Sequence, residues 1–298
     1  SGCGLVGGLG LVKLCSALLG RRATRGNEWR PRIPFCTIAH SSTRGVMRRR
    51  FAVALIVVGS LLVAYAAAVV LWRDPATDLY ARWQQQRLDD ALAKEFVEFQ
   101  ALAVDAPTPL PDPVASEATR ETPSAEDLEA AVAADARRLQ KRLRLGQPLG
   151  RITIPKLDVE AVFVHGTRWA QDLSRGPGHY KETELPGLGK TAAIAAHRTT
   201  FGAWFRRIDD LERGNLVELR LPYGTFRYRV FKHEIVESDD WSIIRDRGFD
   251  TLVLSACHPL YSAEQRWVVF ARLVQVKPRD GPSYQLTRSN AAVLEGRA

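Results

Sequence analysis

Cysteine is scarce in this sequence, with four residues in 298: Cys3, Cys15, Cys36 and Cys257. The first three lie in a Gly-rich and basic stretch before residue 47, so Cys257 has no cysteine partner in the rest of the chain. A disulfide framework needs paired cysteines within one domain, and this distribution excludes one there. Cys257 is therefore either a buried, inert core cysteine or a reactive thiol.

An excess of one charge is also missing after residue 50, although the whole chain has a formal net charge of +9. Residues 1–50 hold ten of the 42 Lys and Arg and one acid, Glu28, which leaves 32 basic and 32 acidic residues for the remainder. A nucleic-acid footprint needs basic residues clustered on a folded face. We therefore expect no nucleic-acid partner.

Charged side chains are absent from residues 51–72, a length that suits a bilayer-spanning helix of about 20 residues. Arg48, Arg49 and Arg50 precede this run, so the positive-inside rule places the N-terminus in the cytoplasm and everything after the run outside. We expect a single-pass anchor at residues 47–73, in contact with membrane lipid. The triplet Ala64-Tyr65-Ala66 leaves a cleaved signal peptide as the alternative, although the apolar run continues beyond it.

The single methionine, Met47, stands directly before this arginine run. We expect native translation to start at or near Met47, with residues 1–46 an N-terminal extension that is disordered or not part of the native protein. A genuine disordered cytoplasmic extension is the alternative.

Residues 74–148 read as an extracytoplasmic stalk or linker. Helical spacing over residues 73–105 is followed by a Pro-rich stretch at 106–113 and a second helix at 124–145. Ser124 and Asp127 form an expected N-cap with its first-turn acid. We interpret the segment as a spacer between membrane and domain. A lid over the active site is the alternative.

From residue 149 to 278 the pattern changes to short apolar strands separated by Gly, Pro and Asp, which indicates a mainly β barrel or sandwich. Short helical turns are expected near residues 173–175 and 201–208, and residues 279–298 are a C-terminal tail. The predicted strands are residues 151–154, 159–164, 192–196, 215–221, 226–236, 251–257 and 266–276.

Three reactive side chains stand at predicted strand ends. Cys257 closes one apolar run and Arg266 opens the next, so an antiparallel pair would place both at one rim of the domain. His197 ends another strand. Each type of residue alone is more often structural, but together the three have the composition of a cysteine active site.

The runs that carry these residues resemble the sortase family. GRITIPKL at 150–157 is similar to the family's first strand, AIAAHRT at 193–199 to its histidine region, and LVLSACHP at 252–259 with Arg266 to its Cys-to-Arg region. The likeness covers residues 149–276, and the His-Pro pair after the cysteine is most similar to class E sortases. Sortases usually carry Thr before the cysteine, where this chain has Ala256.

The resemblance implies a closed β-barrel of about eight strands with short helices, behind a transmembrane helix and a helical stalk. It also implies a cysteine transpeptidase in which Cys257, His197 and Arg266 are catalytic. Such an enzyme cleaves the C-terminal sorting signal of a surface protein and joins the acyl group to an amine of the cell wall or of a pilin subunit.

Weaker candidates surround the cysteine. Ala256, Ser255 and His258 are expected substrate contacts, and His258 is equally suited to capping the strand. We expect no cofactor and no metal. Calcium binding has weak support from the acidic cluster Asp209, Asp210 and Glu212, which lacks regularly spaced oxygen ligands.

Two other function classes stay open. The first is a different cell-wall cysteine hydrolase or transpeptidase, in which His and Cys would lie closer in sequence or in the reverse order. The second is a non-enzymatic, membrane-tethered β-domain that serves surface assembly. Loss of peptide transfer after alkylation of Cys257 would support an enzyme, and full activity after alkylation would exclude one.

Overall fold

A computed structural model describes residues 43–71, 74–104 and 123–286. Three helices come first: α1 (Thr43–Leu71), α2 (Pro75–Val104) and α3 (Ala125–Gln140). The expectations for residues 1–42, for the Pro-rich stretch at 106–113 and for residues 287–298 lie outside the described residues. The chain divides into two compact units, residues 1–55 and residues 56–298. The strands that the structure describes all lie in the second unit.

Helix α1 contains one segment that is long and apolar enough to span a membrane, Met47–Val70, with a mean hydropathy of 2.6. Its large apolar side chains are exposed, including Leu55, Ile56 and Leu61. A helix that presents apolar groups on all sides needs an apolar surrounding. The structure thus supports a candidate membrane anchor in the region where the sequence predicts one.

Nine strands follow: β1 (Pro148–Ile154), β2 (Val159–His165), β3 (Gly178–His179), β4 (Thr191–Ala195), β5 (Leu216–Leu221), β6 (Gly224–Glu237), β7 (Thr251–His258), β8 (Gln265–Pro278) and β9 (Tyr284–Gln285). Their order in the sheet is β6-β5-β1-β2-β3-β4-β7-β8-β9, and a further pairing of β6 with β8 closes the first eight into a barrel. The expected closed barrel of about eight strands is confirmed. Strands β3 and β9 escaped prediction because two residues give no periodicity.

Side chains of each strand alternate between the barrel interior and its outer face. On β7, Leu252, Leu254 and Ala256 belong to the main core, whereas Val253 belongs to a separate cluster with Phe270 of β8. That second cluster is covered by Ile243, which lies in a short 3-10 turn at Trp241–Ile244. The alternation of side chains along β7 and β8 therefore shows which residues near the strand ends point into the barrel and which point outward.

The two helices of the expected stalk pack directly on the barrel, and the role of this segment as a spacer stays a prediction. Leu88 and Leu92 of α2 form an apolar cluster with Val162 and Val164 of β2. The Gln85 side chain accepts a hydrogen bond from the Val162 amide at 2.7 Å and donates one to the Val162 carbonyl at 3.0 Å. Apolar burial and satisfied backbone groups thus bind α2 to the sheet.

Helix α3 also contributes to the core. Ser124 is its N-cap and forms a capping box with Asp127, as its sequence predicts. Val132 and Leu139 are buried in the main core together with Phe99 of α2. The apolar face of α3 therefore covers the barrel.

Candidate active site

Three neighbouring strands bring the predicted catalytic residues together. Strand β4 runs parallel to β7, and the register pairs Ala195 with Ser255. Strand β8 runs antiparallel to β7, and Cys257 pairs directly with Arg266. His197 lies two residues beyond Ala195, so the continuation of the register places it beside Cys257. The common rim predicted for Cys257 and Arg266 is what the structure shows.

The alternation of the strands directs all three side chains to the outer face. Ala193 of β4, Val253 of β7 and Phe270 of β8 share the outer cluster. His197, Cys257 and Arg266 are each separated from those residues by an even number of positions. They therefore point to the same side of the sheet, away from the barrel core.

At that side lies a cleft of about 580 Å³. His197, Cys257 and Arg266 all line it, together with exposed aromatic side chains from three different loops, Trp169, Trp241 and Tyr261. None of its described lining residues comes from α2 or α3, but the start of α2 contacts the loop after His197, where the Thr77 hydroxyl accepts a hydrogen bond from the Phe201 amide at 3.0 Å. The lid alternative stays a prediction. The mixed polar and aromatic wall of the cleft suits an extended peptide.

His197 is half-buried between aromatic rings. Its ring centroid lies 5.5 Å from that of Phe201 and 6.2 Å from that of Trp169, which approaches edge-on at 77°. Burial lowers the pKa of His197 below its ordinary value of 6.5, because desolvation penalises the imidazolium. Its Nε2 atom is buried with no hydrogen-bond partner among the described residues, so its capacity to donate or accept a hydrogen bond is unused there.

Arg266 is held by main-chain oxygens and has no carboxylate partner in the described part of the chain. Its Nη1 donates to the carbonyls of Ala263 at 2.8 Å and Gln265 at 2.9 Å. These bonds fix one side of the guanidinium and leave other donors unused. The arrangement offers a positive charge to the cleft.

Cys257 is half-buried and unpaired. Its position at the end of β7 and at the cleft wall makes the thiol accessible to a ligand. An inert core cysteine would point into the barrel, as the side chain of Ala256 does. The side chain of Cys257 points to the outer face instead, which favours a reactive thiol.

The weaker candidates separate into three environments. Ser255 lines the cleft, and its Oγ lies 2.9 Å from the hydroxyl of Tyr180. Ala256 borders the cleft, but its side chain is only 3% exposed and joins the barrel core. His258 packs its ring on Trp267, 5.5 Å away, and is not among the residues that line the cleft. Its packing fits the alternative role at the strand end better than a substrate contact.

The acidic cluster is largely neutralised by arginines. Asp209 pairs with Arg198 at 2.7 Å and Asp210 with Arg207 at 2.7 Å. Among the described residues no group of three or more His, Cys, Asp or Glu could hold a metal ion. Calcium therefore gains no support from the geometry.

Two residues at the site were missed from the sequence. Tyr180 lines the cleft and lies edge-on to Trp241, with ring centroids 6.3 Å apart, and burial raises its pKa. Arg198 is 3% exposed, although it follows His197 in what looks like an ordinary polar turn. Tyr180 follows the two-residue strand β3, and neither residue stands in a pattern that signals its position.

Comparisons with known proteins agree with this arrangement. Residues 152–274 match the family model described as Sortase domain. Sortase D of Bacillus subtilis (strain 168) is 37% identical over 133 residues, which are 43% of this chain and 65% of that protein. Sortase SrtE1 of Streptomyces coelicolor is 30% identical over 149 residues, 45% of this chain and 42% of that protein. The chain thus covers less than two thirds of these relatives.

A solved structure of Sortase E1 from Streptomyces coelicolor, with a tripeptide in the active site, covers 46% of this chain and 95% of its own, at 26% identity and a TM-score of 0.43. The assignment to class E stays a prediction, because the matched sortase D is more identical than the matched SrtE1. Residues 152–274, which carry His197, Cys257 and Arg266, match the sortase family model, and the likeness of this chain to sortases lies in that domain.

Proposed function

We propose that this protein is a membrane-anchored cysteine transpeptidase. The observation that carries the proposal is the convergence of Cys257, His197 and Arg266 from three adjacent strand ends into one cleft of a sortase domain. A nucleophile, a proton carrier and a fixed cation are what acyl transfer through a thiol requires.

Acylation is the first half of the reaction. The Cys257 thiolate attacks a peptide carbonyl, with its proton carried by His197, and a tetrahedral oxyanion forms. The oxyanion then collapses, the C–N bond breaks, and the imidazolium gives its proton to the departing amine. The product is a thioester between the peptide and Cys257.

Transfer reverses these roles. An incoming amine attacks the thioester carbonyl, His197 takes a proton from that amine, and the C–S bond breaks to regenerate the thiolate. The lowered pKa of His197 keeps the imidazole mainly neutral at pH 7, the form that accepts this proton. Atoms and charge balance over the two steps.

Arg266 is suited to the developing oxyanion or to the peptide backbone. Its charge is permanent, and carbonyls hold Nη1 in place before any ligand arrives. Donors fixed in advance stabilise charge in the transition state without reorganising.

The cleft suggests the class of substrate. Tyr180 and Ser255 supply hydroxyls along the wall, while Trp169 and Trp241 are 63% and 58% exposed and offer apolar surface. Together they suit alternating side chains of an extended peptide. The proposed donor is the C-terminal sorting signal of a surface protein, and the proposed acceptor is an amine of a cell-wall peptide or a pilin subunit.

The anchor completes the proposed placement. With Arg48, Arg49 and Arg50 on the cytoplasmic side of α1, residues after the span lie outside the cell. The cleft then faces the compartment that holds surface proteins and the cell wall. Protease digestion of intact cells tests this orientation, because an extracytoplasmic domain is cleaved and a cytoplasmic one is protected.

Thiol chemistry tests the function directly. The full chain in detergent is incubated with a peptide library and an amine, and peptide transfer is followed by mass spectrometry. Iodoacetamide and Cys257→Ala should each abolish transfer, and His197→Gln should reduce it strongly. His233→Gln, which changes an exposed histidine on β6, is the matched control and should retain transfer. Full activity of Cys257→Ala would overturn the proposal and favour a non-enzymatic role.

A further inference from the structure

Arg198 is a buried cation beside the candidate active site. Its side chain is 2% exposed, which is unusual for a group whose charge is permanent. A buried guanidinium is tolerated only when its donors and its charge are satisfied. Its partners therefore show which parts of the molecule it holds.

One side of the guanidinium is committed to the loop after His197. Nε and Nη2 both donate to the carbonyl of Arg206, at 3.2 and 3.1 Å, and Nη2 lies 2.7 Å from the carboxylate of Asp209. That loop contains two non-glycine residues with positive φ, Phe201 at 49° and Ala203 at 44°. Such backbone is costly unless the surroundings enforce it, and the Arg198 contacts span the loop.

The other side of the guanidinium reaches the strand of the cysteine. Nη1 donates to the carbonyl oxygen of Cys257 itself at 3.4 Å, and it lies 3.4 Å from Nδ1 of His258. His258 is held in turn by ring packing on Trp267. The hydrogen bond to Cys257 is long and therefore weak, so it orients the two groups more than it stabilises the fold.

These contacts connect the two reacting side chains through one group. Arg198 is covalently next to His197 and hydrogen-bonded to the main chain of Cys257. Ala196, which precedes His197 near the end of β4, belongs to the barrel core. Arg198 borders the cleft, but its guanidinium is occupied by protein groups.

We propose that Arg198 is a positioning residue: it sets the separation and orientation of His197 and Cys257 by holding the His197 loop against the end of β7. The inference rests on the proposed function, because it assigns a kinetic role through that pair. Asp209 shares this role by fixing Nη2 of the guanidinium.

The test compares Arg198→Lys, Arg198→Met and Asp209→Asn with the control Arg207→Met. Arg207 is in the same loop and has an ion pair of the same 2.7 Å length with Asp210, but its side chain is 59% exposed. Each full-length variant is assayed with the peptide captured on Cys257 in the library experiment and with hydroxylamine as the amine. Thermal unfolding and amide hydrogen exchange are measured on the same samples.

Arg198→Met should lower kcat by about 100-fold, the cost of misplacing reacting groups by roughly 1 Å, and leave KM within about twofold. Lysine keeps the charge opposite Asp209 but lacks the fork that reaches two carbonyls, so Arg198→Lys should recover part of the loss. Asp209→Asn should fall between wild type and Arg198→Met. Amide exchange should rise together in residues 197–208 and 256–260 of Arg198→Met, and Arg207→Met should match wild type throughout.

A kcat within twofold of wild type in folded Arg198→Met would overturn the inference. A loss of activity that is fully explained by a smaller folded fraction of Arg198→Met would also overturn it. An equal loss of activity in Arg207→Met would do the same. Should Cys257→Ala retain transfer, the proposed function falls and the kinetic role falls with it, while hydrogen exchange still decides whether Arg198 joins the two segments. The two failures are therefore distinguishable.

Discussion

At the residue scale, the surroundings of His197 set its protonation. Trp169 and Phe201 exclude water from the imidazole, and this burial lowers its pKa. Because a histidine with a lowered pKa is neutral over more of the physiological range, His197 is prepared to accept a proton at pH 7.

Removing one of these rings should therefore raise the pKa of His197. Trp169→Ala opens the edge-on contact, and the imidazole should then titrate closer to 6.5. NMR titration of the His197 ring measures this, with Trp241→Ala as the control because Trp241 lines the same cleft but packs on Tyr180. Equal titration in both variants would show that Trp169 does not desolvate His197.

The planar guanidinium of Arg266 should contribute to the rate of peptide transfer. Arg266→Lys keeps the charge but loses the planar fork, and kcat should fall about 100-fold or more, as on removal of an oxyanion donor. Steady-state kinetics of peptide transfer measure it, and Arg229→Lys on the exposed side of β6 serves as control. An unchanged kcat would remove Arg266 from the reaction.

The pairing of Cys257 with Arg266 was predictable from the sequence because two apolar runs follow one another with a turn between them. Both runs were long enough to fix the register. The burial of Arg198 was not predictable, because its partners are main-chain carbonyls and an aspartate supplied by other segments. Tyr180 was missed for the same reason: its partner Ser255 is 75 residues away.

At the element scale, Gln85 joins α2 to the barrel. Its side chain satisfies both backbone groups of Val162 and donates to the carbonyl of Arg175 at 2.9 Å. These groups are buried, so losing their partner costs the desolvation of each.

Gln85→Leu should therefore lower the free energy of unfolding by about 3 kcal/mol. Urea denaturation measures the change. Gln86→Leu, at an exposed position of the same helix, should cost less than about 0.5 kcal/mol. Equal effects of the two substitutions would show that the Gln85 bonds contribute nothing specific.

The pairing of β2 with β3 carries a buried histidine. His179 is 2% exposed, lies with its Nδ1 3.3 Å from that of His165, and has a Nε2 atom 3.1 Å from the carbonyl of Glu184. Burial lowers the pKa of His179 to about 4. The folded state thus favours the neutral ring.

This shift makes stability depend on acid. The contribution of neutral His179 is fully present above pH 6.5 and is lost as the pH falls from 6.5 to about 4, where the unfolded state binds the extra proton. The loss should be roughly 3 kcal/mol. Urea denaturation between pH 4 and 7 measures it. His179→Gln should flatten the profile, and an equally steep profile in that variant would assign the effect elsewhere.

The long helices and strands were predicted from the sequence, and the shortest strands were not. Seven strands and the three helices carry their periodicity in sequence, and the structure contains each of them. Strands β3 and β9 exist only because longer neighbours offer them hydrogen bonds. The docking of α2 was missed because its polar Gln85 and spaced leucines also fit a solvated helix.

At the scale of the whole molecule, the barrel is not independent of the segment before it. Val162 and Val164 of β2 are covered by α2, and α3 supplies Val132 and Leu139 to the main core. A chain of residues 149–286 alone would expose this apolar surface to water.

That shortened chain should consequently unfold at least about 10 °C below a chain of residues 74–286, because several buried apolar side chains lose their cover. Differential scanning calorimetry of the two chains compares them. Equal unfolding temperatures would favour the interpretation of residues 74–148 as a spacer.

The proposed function requires a thioester between Cys257 and a peptide, and intact mass spectrometry detects such an adduct. The full chain is incubated with the peptide library without an amine, and its mass is measured before and after hydroxylamine. We expect an acyl adduct that maps to Cys257, is released by hydroxylamine and is absent from Cys257→Ala. An unmodified wild-type chain that still transfers peptide, or an adduct that persists in Cys257→Ala, would contradict the proposed function.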